Sequence, residues 1–320
     1  MTAITAVAAH LPDKRVPIED LGAEFGLTTM QMRVFRRYHK LGEVRMDPGG
    51  SLLDLLRAAV AGLDALRGQE RRVRYVLHAR SFPVVVPYPF DPVRELCREF
   101  GLENASVLAV GHHACATGLL AVEAAGRLLE GDELALVLTG EKAFTADARM
   151  VPETTFFGEG AAACLVSAGG EGERVLSYAV EQRGEYDSEA ASAGDALAFQ
   201  QEYPDRLAET ILAAVAKAGL RGVDEVDLIL PHNVNVVGWQ QVCRRLGYPL
   251  SRVVLENVGG YGHVFCADNF INYLTAERAG RLEPGAKYVM AAAGAGLGAV
   301  YCAMVLEHVP GHPSERKERP

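Results

Sequence analysis

Two stretches decide the fold: SVLAVGHHACATG at residues 106–118 and RVVLENVGGYGHVFCAD at residues 252–268. Each is a short apolar run, then an elbow containing glycine, then the start of an apolar helix, expected over about 116–130 and 268–281. The first continues through the turn EGD, the strand ELALVLTG, a loop and FFGEGAAACLVS. The second continues through EPG, AKYVMAAA and GAGLGAVYCAMVLEH. Short apolar runs bounded by turn residues read as buried strands. Helices between successive strands imply parallel crossovers. A further helix and strand precede each unit: SLLDLLRAAVAGLDAL (51–66) with VRYVLHARS, and DRLAETILAAVAKAGL (205–220) with VDLILPHN. The chain therefore reads as an α/β protein made of two like halves, 1–170 and 171–310, related by duplication. Residues 168–204, rich in Gly, Glu, Ser and Asp around VLSYAV, read as a linker and surface excursion. Residues 311–320, inside VPGHPSERKERP, read as a polar, mobile tail.

Composition narrows the class. The 320 residues are 49% hydrophobic and 23% charged, as in an ordinary globular protein. A net charge of -9 argues against nucleic-acid and membrane-surface partners, which reward clustered Lys and Arg. No apolar stretch reaches the roughly 18–20 residues that span a bilayer. MTAITAVAAHLP lacks the basic start of a secretory signal, so the expected location is cytoplasmic. The six cysteines (97, 115, 164, 243, 266 and 302) stand singly, which suits reduced thiols and neither a disulfide frame nor a metal site.

Cys115 stands where a strand ends and a helix begins. Unsatisfied N–H groups and the helix dipole at such a place favour the thiolate, the nucleophilic form. Ala114, Ala116 and Gly118 leave room for a substrate, although the position equally suits a core cysteine. His232 follows the apolar strand in PHNVN, at the strand end where open α/β sheets bind ligands. Its ring can donate to a thioester carbonyl or serve as a strand-end cap. His263, in GGYGH, takes a place in the second half related to that of Cys115, so the duplication brings Cys115, His232 and His263 towards one centre. His112 and His113 are neighbours that point to opposite faces, and they read as packing or capping residues. GAGLG (294–298) lies in a late hairpin, not between a first strand and a helix, and so is not a phosphate loop. SFPVVVPYPFDPVRE (81–95), rich in proline and aromatics, reads as part of an acyl pocket.

Four motifs in order, ACATG around Cys115, FFGEGAAACLV (156–166), LPHNVN around His232 and YGH at 261–263, resemble the ketoacyl-acyl-carrier-protein synthase III family of the thiolase superfamily. The likeness runs from AVAAHLPDKRV to AGLGAVYCAMVLEH. It implies a duplicated, five-layered αβαβα thiolase fold with two mixed sheets and a homodimer. It implies an acyl group carried on Cys115, loaded from a coenzyme A or carrier-protein thioester. Cys115, His232 and His263 take the catalytic positions, although the family usually has Asn at the last of them. The oxyanion hole would use the backbone N–H groups of Cys115 and Ala295, and Asn235, Phe157 and Gly294 would meet the substrate. Segment 30–46, MQMRVFRRYHKLGEVRM, lacks the family's usual Thr-Gly-Ile stretch and aromatic clamp. Arg33, Arg36 and Arg37, with Lys40, are left to contact a phosphopantetheine phosphate or an acyl carrier protein, or simply to face solvent. No cofactor is implied beyond the acyl thioester substrate. The second step is either decarboxylative Claisen condensation or transfer to an oxygen or nitrogen nucleophile, in polyketide, fatty-acid or specialised metabolism. The competing expectation is a non-catalytic partner subunit of a condensing enzyme.

Overall fold

The computed structural model describes residues 2–82, 86–87, 89–145, 148–170, 172–187, 193–295 and 297–309. The expected mobile tail at 311–320 and positions 83–85 and 88 of the expected acyl-pocket segment lie outside them. Nine strands form the main sheet: β1 (Ala3–His10), β2 (Val73–Ala79), β3 (Ser106–Val110), β4 (Leu134–Glu141), β5 (Gly160–Ser167), β6 (Gly172–Asp187), β7 (Leu228–Pro231), β8 (Lys287–Ala295) and β9 (Leu297–Val309). Their order is β7-β8-β9-β6-β1-β5-β4-β2-β3. Counted outward from the centre, both sides repeat one plan. β1-β5-β4-β2 matches β6-β9-β8-β7, with the inner pairs antiparallel and the outer ones parallel. The halves meet where β1 pairs β6 through only Ala3↔Arg174 and Ile4↔Glu173. Two mixed sheets thus share one short seam.

Strand residues alternate between faces, which sorts them into layers. Leu136 and Leu138 of β4 pack under the outer helices α1 (Leu52–Ala61) and α2 (Pro92–Glu99). Ala135 and Val137 face the central helices α3 (Thr117–Leu128) and α6 (Asp268–Arg278), which also receive Met290 and Met304 of the second half. Val289, Ala291 and Tyr301 face the outer helices α4 (Ala193–Lys217) and α5 (Val236–Leu246). The result is five layers, αβαβα. Each buried Leu or Val on these faces contributes about 1.5–3 kcal/mol over the exposed chain. Outer helix α1 begins at a reciprocal cap, Ser51 with Asp54, that satisfies two end N–H groups. Among the described residues no helix is long and apolar enough to cross a membrane.

Three expectations need correction. RVVLENV is not a strand: Leu250–Arg252 form a 3-10 turn after Pro249, and only Val253 bridges to Ile229 of β7. The turn consumes the N–H groups of Arg252 and Val253, so the counterpart of β3 shrinks to one bridge. SVLAV is a strand but not a buried one; it is the sheet edge, with Ser106, Leu108 and Ala109 exposed. The expected linker holds the central 16-residue strand β6, paired with β9 from Gly172↔Val309 to Asp187↔Leu297 across two register shifts.

Candidate active site

Both central helices start from the same unusual elbow. In the first half, Ala114 takes φ +43, residues Ala114–Ala116 make a 3-10 turn and α3 follows from Thr117. In the second, Phe265 takes φ +48, residues Phe265–Ala267 make a 3-10 turn and α6 follows from Asp268. Left-handed backbone at a non-glycine residue is rare and needs its surroundings to hold it. The equivalent of Cys115 is therefore Cys266. His263, expected at a place related to Cys115, lies three residues upstream and matches His112. The elbows pack closely. A Cβ added to Gly118 would lie 2.8 Å from the Cys266 carbonyl oxygen, and one on Gly294 would lie 2.5 Å from Ala114 Cβ and 3.0 Å from Cys115 N. Gly294 thus lets the end of β8 lie close against the Cys115 amide.

Cys115 is half-buried against an apolar cluster of Phe157, Phe265, Ala143, Ala148 and Phe82. Ser81 Oγ donates to its sulfur at 3.8 Å and lies 3.4 Å from Cys266 Sγ, while the Cys266 thiol donates to the Ala114 carbonyl at 3.2 Å. Burial pushes the Cys115 thiol well above its ordinary pKa, with Cys266 and Glu141 adding to it and Ser81 opposing. The helix-start argument predicts the opposite direction; desolvation and two acidic neighbours outweigh the dipole. In the resting site this sulfur carries its proton. Glu141, at the end of β4, accepts from the N–H groups of Ser81 (2.7 Å) and Phe82 (2.9 Å) through Oε1. Its Oε2 is buried without a partner, and burial raises its pKa to about 7.

His263 is buried, and its Nδ1 lies 2.5 Å from Asp268 Oδ2. Asp268 is the first residue of α6 and also accepts from Asn233 N (2.5 Å), Asn233 Nδ2 (3.2 Å) and Val264 N (2.8 Å). A carboxylate so surrounded is fixed in place. It accepts the Nδ1–H of the imidazole as a hydrogen bond and leaves Nε2 as the free end. The Phe157 ring, which packs on Cys115, lies 4.9 Å from the His263 ring and stacks at 4.4 Å on Phe265.

His232 directly follows β7 in the same centre, with its ring 5.8 Å from that of His263. Its carbonyl accepts from Trp239 Nε1 at 2.9 Å, its Nδ1 lies 3.4 Å from the Ala291 oxygen and its Nε2 lies 3.3 Å from the Tyr203 hydroxyl. Burial, then His263, lowers its pKa to about 3, so the ring is neutral.

The remaining expected residues divide. Asn235 is committed elsewhere: Oδ1 caps α5 by accepting from Gly238 N at 2.7 Å, and Nδ2 donates to Thr154 O at 3.1 Å. Arg33, Arg36 and Arg37 are exposed on the segment Thr29–His39, and Arg36 is paired with Glu19 at 2.7 Å. His112 is exposed, and His113 packs at 3.8 Å from Cys302 Sγ. Sequence reasoning missed Asp268, Glu141, Ser81, Tyr203 and Cys266. For Asp268 and Cys266 the signal was present in HVFCAD, had the two elbows been aligned on their helices.

Residues 215–308 match the family model for the C-terminal part of 3-oxoacyl-[acyl-carrier-protein] synthase III. The chain is 29% identical over 264 residues to a beta-ketoacyl-[acyl-carrier-protein] synthase III of Rhodobacter capsulatus, covering 76% of this chain and 80% of that one. The chain is thus similar to the ketoacyl synthase III proteins, with the family model matched over residues 215–308. Among solved structures, this synthase III-like fold is similar to ChlB3, described as an acyltransferase, with a TM-score of 0.82, 18% identity and 96% and 98% of the two chains covered. It is also similar to the 3-oxoacyl-[acyl-carrier-protein] synthase III of Aquifex aeolicus, with a TM-score of 0.81, 20% identity and coverage of 96% and 100%. At such identities these two likenesses speak for the fold.

Proposed function

We propose that this protein is an acyltransferase that loads an acyl group onto Cys115 from a coenzyme A or carrier-protein thioester and passes it to an oxygen or nitrogen nucleophile. The observation that carries this choice is the 2.5 Å contact between His263 Nδ1 and Asp268. Decarboxylative condensation needs N–H donors aimed at a forming enolate oxygen. An imidazole whose Nδ1 proton is held by a carboxylate turns a bare Nε2 to the substrate, which is a base and not a donor.

In the first step His263 Nε2 takes the Cys115 proton as sulfur attacks the thioester carbonyl. The oxyanion is held by the N–H groups of Cys115 and Ala295, each worth about 3–4 kcal/mol in such a role. Collapse expels the donor thiolate, which recovers the proton from His263. In the second step His263 takes the acceptor's O–H or N–H proton as it attacks the acyl carbon, and Cys115 leaves as thiolate and is reprotonated. The raised thiol pKa fits this cycle, because base and nucleophile work together and no standing thiolate is needed. Phe82, Phe157 and Phe265 supply an apolar wall for the acyl chain.

The wider reading follows the family: a cytoplasmic enzyme of fatty-acid, polyketide or specialised metabolism, built from two duplicated halves at 1–170 and 171–310. The exposed edge of β3, with Leu108 at its centre, supports pairing with a second copy. The relative's printed activity favours condensation as the second reading. Intact-protein mass spectrometry separates them. Wild type should gain one acyl mass from acyl-coenzyme A, and Cys115→Ala should gain none. The loaded enzyme should then lose that mass to alcohols or amines without releasing carbon dioxide from malonyl thioesters. Carbon dioxide release coupled to loss of the acyl mass would establish condensation.

A further inference from the structure

The Nε2 atom of His232 already has an occupant. Tyr203 stands on α4 beside Pro204, a helix-interior proline, and its ring reaches the site edge-on to His232, with centroids 6.0 Å apart. The Tyr203 hydroxyl then lies 3.3 Å from His232 Nε2. On the other side of the ring, Nδ1 faces the Ala291 carbonyl, which already accepts from His232 N at 3.0 Å and from Asn269 Nδ2 at 3.1 Å. A bare Nδ1 would set lone pair against lone pair, so the neutral ring carries its proton there and Nε2 accepts from the phenol. Ala291 needs nothing more from Nδ1, and 3.4 Å is a weak contact. The Ala291 carbonyl, an acceptor only, thus favours the Nδ1–H form, and the phenol, which can donate or accept, donates to Nε2 and occupies it.

We propose that Tyr203 sets reaction specificity: its hydroxyl covers the Nε2 face of His232 and occupies that nitrogen, so that the ring does not donate to a thioester carbonyl. This deepens the acyl-transfer reading above and rests on it. With Tyr203 in place neither His232 nor His263 offers an N–H to an enolate, and a malonyl thioester bound there keeps its carboxylate. Without the hydroxyl, a bound thioester carbonyl selects the Nε2–H form of His232 at small cost. Malonyl thioester can then lose carbon dioxide to give the enolate, whose carbon attacks acyl-Cys115, expels the Cys115 thiolate and leaves a β-ketoacyl thioester.

The test compares wild type with Tyr203→Phe, using acetyl-coenzyme A as donor and carboxyl-labelled malonyl-pantetheine as probe. Acetyl loading on Cys115, read by intact mass, should stay within about twofold, which also shows that the variant folds. Labelled carbon dioxide should be at background for wild type and at least ~10-fold higher for Tyr203→Phe, a change of about 1.4 kcal/mol in barrier. Nitrogen-15 spectra of wild type should show His232 protonated at Nδ1. Normal loading with carbon dioxide still at background in Tyr203→Phe would overturn the role of Tyr203 and leave acyl transfer standing, as would a protonated Nε2 in wild type. Rapid carbon dioxide release by wild type would overturn both.

Discussion

The two elbows differ in side chains and not in backbone. Both use a non-glycine residue at positive φ, a 3-10 turn and a central helix, and they pack against each other through Gly118 and Gly294. The first presents its thiol half-exposed in an apolar cluster. The second buries the equivalent thiol, Cys266, on the Ala114 carbonyl, and uses the flanking residues His263 and Asp268 as a hydrogen-bonded pair. In the acyl-transfer proposal, one elbow supplies the nucleophile and the other a base with its orienting carboxylate. The Asn expected at the position of His263 from the resemblance to the synthase III family could not serve as the proposed base.

The largest effect should come from exchanging the roles of the two thiols. Cys115→Ala should abolish acyl loading, whereas Cys266→Ala should load within a few-fold of wild type. Mass spectra showing the reverse would invert the assignment of the elbows.

Glu141 sharpens the comparison, because its burial beside Ser81 sets one carboxyl against both thiols. Its folded pKa of about 7 exceeds the ordinary value of 4.5. The folded state therefore binds more protons than the unfolded state between these values, and stability falls as pH rises from about 4.5 to about 7. The fall is on the order of 3 kcal/mol for this group. Glu141→Gln keeps an acceptor for Ser81 N and Phe82 N and should flatten that slope, as denaturant titrations across this range would show. An unchanged slope would mean the carboxyl does not titrate there.

Gly294→Ala tests the contact between the halves. The new methyl must displace Ala114 or the Cys115 amide, so stability should drop by about 1–3 kcal/mol with a matching loss of loading. A neutral result would show that the elbows can part without consequence.

Much of this could be read from the chain. The paired order of strand, elbow and helix is local, and it leads to two like halves and to Cys115, His232 and His263, while the five layers follow from the resemblance to the synthase III family. The failures have physical causes. RVVLENV is as apolar as a strand, but Pro249 starts a turn that spends its N–H groups. The polar, glycine-containing stretch 168–204 reads as a linker, yet 16 of its residues form the central strand β6, whose partners lie more than a hundred residues away. The thiol pKa was misjudged because the helix dipole is visible in sequence, whereas Glu141 and Cys266 reach Cys115 only through folding. Asp268 at a helix start reads as an ordinary dipole partner. Only the turn Phe265–Ala267 brings it back onto His263, five residues earlier.

The most direct measurement is single-turnover transfer from acetyl-Cys115 to an alcohol or amine acceptor in wild type and in Asp268→Asn. With the carboxylate gone, His263 loses its fixed tautomer, and the transfer rate should fall by about 10²–10⁴-fold while the protein still folds. Transfer at the wild-type rate in Asp268→Asn, or release of carbon dioxide from malonyl thioester by wild type at the rate of acyl loss, would contradict a base-assisted acyl transfer from Cys115.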